Sequence, residues 1–426
     1  MRVLYWSAGF LVVAGLALAA PVSVPQHPMA VAHGQGGAAV IEVAGSNDGL
    51  ERWIAGFRGR ALAKGISAAT FERAFRGVRY NPDVIDKDRH QSEFTKTIWD
   101  YLDSAVSDKR VENGKKALRQ HRRLLERIEA TYGVDKEIVV AVWGLESSYG
   151  EFRGDHPLIG SLATLAYDGR RGSFFEAQLL AALKILQHGD VAPARMTGSW
   201  AGAMGHTQFI PTSYLAFAVD FTGDGKRDIW SDDPADALAS TAAYLARSGW
   251  QSGRPWGLEI ALPRGFDYSQ TGDRVKKSVA DWQALGVRTV TGGGLPDHGT
   301  ASVLLPAGAR GAAFLIFRNF NVIERYNSAD AYVIGIGHLA DRLKGGPVIQ
   351  AAWPRNDRAL KVDERLELQA QLTKAGFDPG GVDGKIGPNT IAAVKAYQRS
   401  IGMVPDGYAS LDILKRLRAG AVGQSL

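Results

Sequence analysis

The 426-residue sequence predicts a mainly α protein with a small α+β insertion and a C-terminal three-helix bundle. Apolar residues recur at helical spacing through most of 49–149, and the same pattern indicates helices at 174–187 and 234–247. Residues 257–320 break this pattern with short runs of strand-forming residues. Residues 361–420 return to helical spacing, which predicts a second, compact helical unit.

The insertion is expected to combine strands with one helix. Apolar runs at 258–262, 301–305 and 312–316 predict three strands. Ser278 precedes Asp281 by three residues, which is the spacing of a capping box and predicts a helix start between the first two strands. The region therefore reads as a small α+β unit beside the helical core.

The chain divides at the Gly-Gly-Pro sequence that begins at Gly345. We expect one domain over 47–345, a linker over 347–360 that contains Pro354, and a second domain over 361–420. In that second domain, Gly376 ends the first helix, Pro388 opens the next at its N1 position, and Ser410 caps a third. Sixty residues are enough for a small core.

The N-terminus predicts export. Arg2 precedes an apolar run over 10–20, and Ala17-Leu18-Ala19 supplies an A-x-A cleavage pattern. Residues 1–32 are therefore interpreted as a signal peptide and a disordered start. The alternative is an uncleaved anchor, although the run is short of the roughly 20 residues that span a bilayer. The sequence has no cysteine, which excludes disulfides and lipid attachment at an N-terminal cysteine. The expected location is the periplasm or cell envelope.

The net charge of +6 mildly favours an anionic partner. A nucleic-acid partner is not indicated, because no basic stripe interleaved with aromatic residues appears. Cell-surface polymers that carry carboxylates or phosphates fit the sign of the charge.

Glu146 directly follows an apolar stretch over 138–145. A run that is apolar on every side predicts a buried helix, with Asp135 as its N-cap and Gly150 as its stop. A carboxyl at the inner end of such a helix is partly desolvated, which raises its pKa and suits it to donate a proton. The alternative is a solvated glutamate in a last helical turn.

Three motifs resolve this choice: residues 143–150 (WGLESSYG), 198–205 (GSWAGAMG) and 208–214 (QFIPTSY). In this order they resemble the B family of lytic murein transglycosylases, over about residues 50 to 345. Residues 376–390 (GFDPGGVDGKIGPNT) are similar to the peptidoglycan-binding type 1 module. The resemblance implies a lysozyme-like catalytic domain followed by a module that binds the same polymer.

The family implies an enzyme that cleaves the β-1,4 bond between N-acetylmuramic acid and N-acetylglucosamine and leaves a 1,6-anhydro ring. Glu146 would be its single catalytic acid and base, and no cofactor would be required for the chemistry. Two alternatives remain open: a hydrolytic muramidase, and an inactive peptidoglycan-binding scaffold. The expected partners are peptidoglycan strands, with cell-wall synthetic enzymes as further candidates.

The resemblance also implies positions that bind the sugars or their carboxylates. Arg170 and Arg171 could instead be a solvated pair, Ser199 and Gln208 could serve loop and cap geometry, and Tyr244 could be core. The full set is Arg170, Arg171, Ser199, Gln208, Tyr244, Tyr326 and Asn327.

Residues 220–228 (DFTGDGKRD) follow the order of an EF-hand calcium loop. Position 12 is Ser231, where a bidentate carboxylate is expected, and Asp232 or Asp233 could replace it. The alternative is a turn held by its own hydrogen bonds. A bound calcium ion would be structural, with candidate ligands Asp220, Thr222, Asp224, Lys226 and Asp228.

Overall fold

The computed structural model describes residues 46–89 and 96–420. The expected signal peptide and disordered start, residues 1–32, lie outside these residues. Across the two described ranges, every helix is too short or too polar to cross a membrane.

The described chain is built largely from helices, as the apolar spacing predicts. Many begin at a residue whose side chain caps the first turn, such as Ser46, Thr97 and Ser410. The helices are α1 Asn47–Ala63, α2 Ala68–Phe75, α3 Pro82–Arg89, α4 Ile98–Ala105, α5 Asp108–Gln120, α6 Arg122–Tyr132, α7 Lys136–Ser147, α8 Leu158–Asp168, α9 Gly172–His188, α10 Pro211–Phe217, α11 Ala235–Arg247, α12 Val279–Ala284, α13 Arg318–Glu324, α14 Asp330–Leu343, α15 Val362–Lys374, α16 Pro388–Ser400 and α17 Leu411–Arg418.

Two small antiparallel sheets accompany the helices. The strands are β1 His156–Pro157, β2 Thr197–Gly198, β3 Gly257–Ala261, β4 Arg288–Thr289, β5 Ser302–Leu304 and β6 Ala313–Ile316. Strand β1 pairs with β2, and the other four form one sheet in the order β4-β3-β6-β5. Ser278 and Asp281 form the expected capping box at the start of α12. The mainly α fold with a small α+β insertion is confirmed.

Helix α7 forms the centre of the larger hydrophobic core. It packs against α14, α5, α11 and α6, and every residue from Ile138 to Ser147 is buried. Burying each valine of this run stabilises the fold by about 1.5–3 kcal/mol, which explains why the helix is apolar on all sides. A second core, formed largely by α1, α2, α8 and α9, lies beside it. The polar end of α7 is therefore placed deep in the domain.

The three C-terminal helices pack around their own core, which includes Leu368, Leu372 and Val394. The buried Gln369 fixes the loop between α15 and α16. Its Oε1 accepts hydrogen bonds from the backbone N–H groups of Asp383 and Gly384, and its Nε2 donates to the Lys385 carbonyl. The bundle expected at the C-terminus is confirmed.

This bundle is docked on the insertion. The ammonium group of Lys395 is buried and donates to the carbonyls of Tyr268 and Thr271 and to the Thr271 hydroxyl, at 2.7–3.0 Å. The Asp406 carboxylate accepts from the Ala309 N–H at 2.9 Å. These contacts join the small module to the large domain directly.

The segment between α14 and α15 is also held down along its length. Glu259 accepts hydrogen bonds from the backbone N–H groups of Gln350 and Ala351. Arg355 forms a two-bond ion pair with Asp103, at 2.6 and 3.0 Å. The segment expected to be a linker thus packs against both β3 and α4.

Candidate active site

Glu146 lies in the last turn of α7 and is only 5% exposed. The Tyr332 hydroxyl, on α14, donates a 2.6 Å hydrogen bond to its Oε1. Burial raises the pKa of Glu146 to about 8, although the hydrogen bond from Tyr332 opposes the rise. The carboxyl is therefore mostly protonated at neutral pH, as a general acid must be. The alternative of a solvated last-turn glutamate is wrong.

The chain leaves α7 through three consecutive left-handed residues. Ser148, Tyr149 and Gly150 have φ values of 50°, 64° and 88°. The helix therefore ends at Ser147, three residues before Gly150, the glycine expected to end it. A Cβ on Gly144 would lie 2.6 Å from the Tyr149 ring, so glycine there lets the ring fold back onto the helix. The Tyr149 hydroxyl donates to the Arg110 carbonyl and holds the turn in place.

His206 ties the end of α7 to the loop that follows β2. Its carbonyl accepts from the Ser147 hydroxyl, and its Nδ1 accepts from Trp143 Nε1 at 3.1 Å. Its Nε2 lies 2.8 Å from the Ser231 carbonyl, which assigns the ring proton to Nε2. Burial lowers the pKa of His206 to about 4, so the ring is neutral and structural.

Three tyrosines extend from Glu146 in a layer. The Tyr326 ring stacks parallel to Tyr332 with centroids 6.5 Å apart, and Tyr244 meets Tyr326 edge-on at 5.0 Å. The hydroxyls of Tyr326 and Tyr244 donate to the backbone carbonyls of Thr207 and Arg325. Both predicted sugar-binding tyrosines therefore belong to the aromatic layer that begins at Glu146, and main-chain contacts fix their rings.

Gln208 and Ser199 border the segment that follows Glu146. Gln208 has a left-handed backbone (φ 53°), and its Nε2 donates to the carbonyls of Arg153 and Gly205. Ser199 Oγ accepts from the Ala203 N–H, in the turn after β2. Both side chains thus shape the loop, and their contact with sugars stays a prediction.

The remaining predicted sugar-binding positions make internal contacts. Asn327 is buried and its side-chain oxygen accepts from the Ala329 N–H just before α14. Arg170 and Arg171 both pair with the buried Asp88 of α3, and Arg170 also donates to the Asp88 carbonyl. The arginine pair is therefore partly neutralised inside the protein, and its role toward substrate carboxylates stays a prediction.

The loop over 220–228 gathers carboxylates differently from an EF-hand. Asp220, Asp224 and Asp236 offer oxygens within 4.8 Å of one another. Asp236 lies on α11, beyond the expected position 12, and Ser231 instead donates to the Asp233 carbonyl. The loop is also a turn, because Asp220 accepts from the N–H groups of Gly223 and Gly225.

The other expected ligands of the loop lie outside this trio. Asp228 accepts from the backbone N–H groups of Trp230 and Ser231. Asp232 pairs with Arg153, so neither it nor Asp233 joins the group of three carboxylates. The oxygens of this trio suit a hard cation such as calcium.

Four residues with clear roles escape prediction from the sequence. Tyr332 and Lys395 lie on helices whose other residues suggest only packing. Asp88 is a single carboxylate more than 80 residues before the arginines that it binds, and Asp236 lies just outside the expected calcium loop. A signal existed for Asp236 alone, because it lies in the first turn of a predicted helix that directly follows the loop.

Comparison with known proteins identifies the family of the chain. A transglycosylase SLT domain matches residues 49–341, and a putative peptidoglycan-binding domain matches residues 361–417. The crystal structure of SltB3 from Pseudomonas aeruginosa in complex with NAG-anhNAM-pentapeptide is similar, at 54% identity and a TM-score of 0.84. That match covers 87% of this chain and 99% of SltB3.

Two Escherichia coli proteins are more distant. The curated membrane-bound lytic murein transglycosylase B of strain K12 is 33% identical over 246 residues, which are 56% of this chain and 65% of that relative. The chain thus spans slightly less than two thirds of that relative. The lytic transglycosylase Slt35 in complex with calcium is 27% identical, with a TM-score of 0.57 and coverage of 72% and 97%. The chain belongs to the family of the transglycosylase SLT domain, and it carries a peptidoglycan-binding module at its C-terminus.

Proposed function

We propose that this protein is a lytic transglycosylase that cleaves the β-1,4 bond between N-acetylmuramic acid and N-acetylglucosamine in peptidoglycan. The observation that carries the proposal is Glu146, a buried carboxyl with a pKa near 8. Among the described residues, no second carboxylate contributes to that pKa shift. A site with a single acid suits a reaction in which one group both gives and takes the proton.

The chemistry runs in two proton transfers. Glu146 first protonates the glycosidic oxygen, the bond from that oxygen to C1 breaks, and an oxocarbenium-like centre forms at C1. The Glu146 carboxylate then takes the proton of the C6 hydroxyl of the same sugar, whose oxygen bonds to C1. The attacking hydroxyl is tethered, so its attack avoids the entropic penalty of capturing a water molecule. No atoms are gained or lost overall.

The aromatic layer gives this reaction a surface on which a sugar can lie. Tyr326 and Tyr244 are held by their hydroxyls to backbone carbonyls, which leaves their rings fixed beside Glu146. An aromatic face packs well against the C–H groups of a sugar. We therefore assign these two residues, with Ser199, Gln208 and Asn327, to the glycan groove.

The substrate carries peptide stems in this proposal. SltB3 has been crystallised with NAG-NAM-pentapeptide, and this chain is 54% identical to it. The C-terminal module would hold the same polymer. Exported enzyme would meet this substrate in the periplasm, and any association with cell-wall synthetic enzymes would be tested by crosslinking in intact cells.

The mass of the products tests the proposal. Purified sacculi should release muropeptides with anhydro ends, which are one water lighter than hydrolysed ends. Hydrolysed ends would identify a muramidase instead. If no soluble product forms while the protein still adsorbs, it is a binding scaffold.

We further propose that Asp220, Asp224 and Asp236 hold a structural calcium ion. Slt35 has been crystallised in complex with calcium. Millimolar calcium should raise the melting temperature relative to EDTA. When calcium is at ten times Kd, the free energy of unfolding should increase by about 1.4 kcal/mol. Asp224→Asn should lose this response, because Asp224 supplies an exposed oxygen and makes only the Lys226 backbone bond. Equal melting temperatures with and without calcium in wild type would reduce the loop to a turn.

A further inference from the structure

A basic cavity of about 690 Å³ lies between the α+β insertion and the catalytic core. Its walls come from the end of α11, the loops of the insertion, and α13. Buried apolar residues, Ile316 and Val322 among them, line its inner part. The cavity is thus formed by two units of the fold that meet at a charged rim.

The charges at this rim are unbalanced. Four cationic side chains, Arg254, Lys276, Arg318 and Arg325, line the cavity with a single carboxylate, Asp273. In the part of the chain that the structure describes, none of these four cations forms an ion pair with a carboxylate. Glu324 and Asp330 lie close enough to Asp273 to interact with it electrostatically, but neither lines the cavity.

Two arginines are held by backbone carbonyls. Arg318 donates from Nε to the Gly249 carbonyl, and Arg254 donates from one terminal nitrogen to the Asp297 carbonyl, both at 3.3 Å. A guanidinium has five N–H donors, so most remain available to a ligand. The carbonyl contacts limit the freedom of these side chains before any anion binds.

A buried asparagine fixes the backbone of the rim. Asn319 is fully buried, accepts from the Gln251 N–H, and donates to the carbonyls of Gln251 and Arg254. These bonds tie the turn after α11 to the start of α13. The arginines of the rim thus lie on a rigid backbone. A rigid arrangement of cations binds an anion more tightly than a mobile one, because less freedom is lost on binding.

The cavity adjoins the aromatic layer of the active site through Arg325. The Arg325 carbonyl accepts a hydrogen bond from the Tyr244 hydroxyl, and the residue after Arg325 is Tyr326. The other arginines expected to meet substrate carboxylates, Arg170 and Arg171, are committed to Asp88. The basic cavity therefore offers anion-binding donors that have no internal carboxylate partner.

We propose that this basic cavity binds free carboxylates of a peptide stem carried by the glycan strand that is cleaved. The inference rests on the proposed function and adds to it a site that selects strands by their stems. Carboxylates match the planar donor pairs of arginine, and several cations suit a ligand with more than one carboxylate.

The test uses the full-length protein and two matched glycan oligomers, one with peptide stems and one from which the stems have been removed. The double variant Arg254→Ala/Lys276→Ala should raise KM for the stem-bearing oligomer about fivefold, as expected for two exposed charge contacts. Its kcat and its KM for the stem-free oligomer should stay as in wild type. Arg264→Ala, an exposed arginine of the insertion outside the cavity, is the matched control.

The charge-keeping variant Arg254→Lys/Lys276→Arg should retain the wild-type KM, which separates charge from folding. An unchanged KM in the alanine variant, or an equal rise for both oligomers, would overturn the inference. Inorganic phosphate is the competing probe: phosphate that inhibits while a free stem peptide does not would identify a phosphate-bearing ligand instead. Failure of wild type to form anhydro ends from either oligomer would contradict the proposed function, not this site.

Discussion

Two buried ionisable side chains, Glu146 in the catalytic core and Lys395 in the docked module, show how burial serves opposite purposes. They are 5% and 9% exposed. Burial raises the pKa of Glu146 and lowers the pKa of Lys395, and both shifts favour the neutral form of the side chain. Lys395 donates three hydrogen bonds and satisfies all of its protons. Glu146 receives one, and among the described residues its Oε2 has no partner. The fully hydrogen-bonded ammonium group of Lys395 therefore has a structural role, whereas Glu146 keeps an oxygen that is available for reaction.

The substitution Glu146→Gln should have the largest effect on turnover, because it removes the reactive carboxyl. Glutamine keeps the shape but cannot move the proton, so turnover should fall at least about 10³-fold. Release of soluble products from sacculi measures this loss. Glu151→Gln, a nearby exposed glutamate, is the control and should keep full activity.

The same variant should be more stable than wild type at high pH. The unfolded chain releases the Glu146 proton from about pH 4.5, whereas the folded chain keeps it until about pH 8. Wild-type stability attributable to this group therefore falls as pH rises between those values, by roughly 5 kcal/mol. Melting temperatures from pH 5 to pH 9 should diverge in favour of the variant. Parallel curves would mean that Glu146 is not desolvated in solution.

Lys395→Met tests whether the buried ammonium group holds the C-terminal module on the insertion. The side chain keeps its length but leaves the Tyr268 and Thr271 carbonyls without their donor, which should destabilise the docked module by about 2 kcal/mol. Hydrogen exchange should become faster along 347–360, while turnover of short soluble glycans should not change. Lys385→Met, at an exposed lysine of the same module, should have no such effect. Unaltered exchange in both variants would show that docking does not depend on Lys395.

Tyr332→Phe should sharpen the comparison by removing the hydrogen bond that Glu146 receives from Tyr332. That bond lowers the Glu146 pKa, so its loss should move the alkaline limb of kcat/KM upward by up to about one pH unit. Tyr326→Phe removes a hydroxyl that donates to a backbone carbonyl and should leave this limb in place. An identical shift in both variants would assign the effect to general loosening of the site.

The sequence predicts well whatever depends on neighbouring residues. Helix α7, the capping box at Ser278 and the three C-terminal helices follow from spacing that repeats within a few residues. The burial of Glu146 follows from the apolar run before it. Local patterns carry this information because side chains three or four positions apart share a helix face.

Contacts between distant segments could not be predicted in this way. Tyr332 is separated from Glu146 by 186 residues, and a tyrosine within an apolar helix suggests only packing. Asp88 was not expected beside Arg170 and Arg171, nor Lys395 on the insertion. Asp236 replaces a loop residue from the neighbouring helix. Each pairing depends on how the helices pack against one another, and the spacing of apolar residues along the sequence does not contain this information.

In the proposed mechanism, the position of Glu146 in α7 affects the second proton transfer. Peptide dipoles along a helix sum to a partial negative charge at its C-terminal end, and Glu146 lies in the last turn. Once Glu146 has given up its proton, its negative charge therefore meets an unfavourable field as well as a poorly solvating interior. The resulting carboxylate is a much stronger base than one in water. The developing positive centre at C1 and the proton of the C6 hydroxyl are the two species that relieve it. The same helix end that keeps the acid protonated thus drives it to recover a proton from its own substrate.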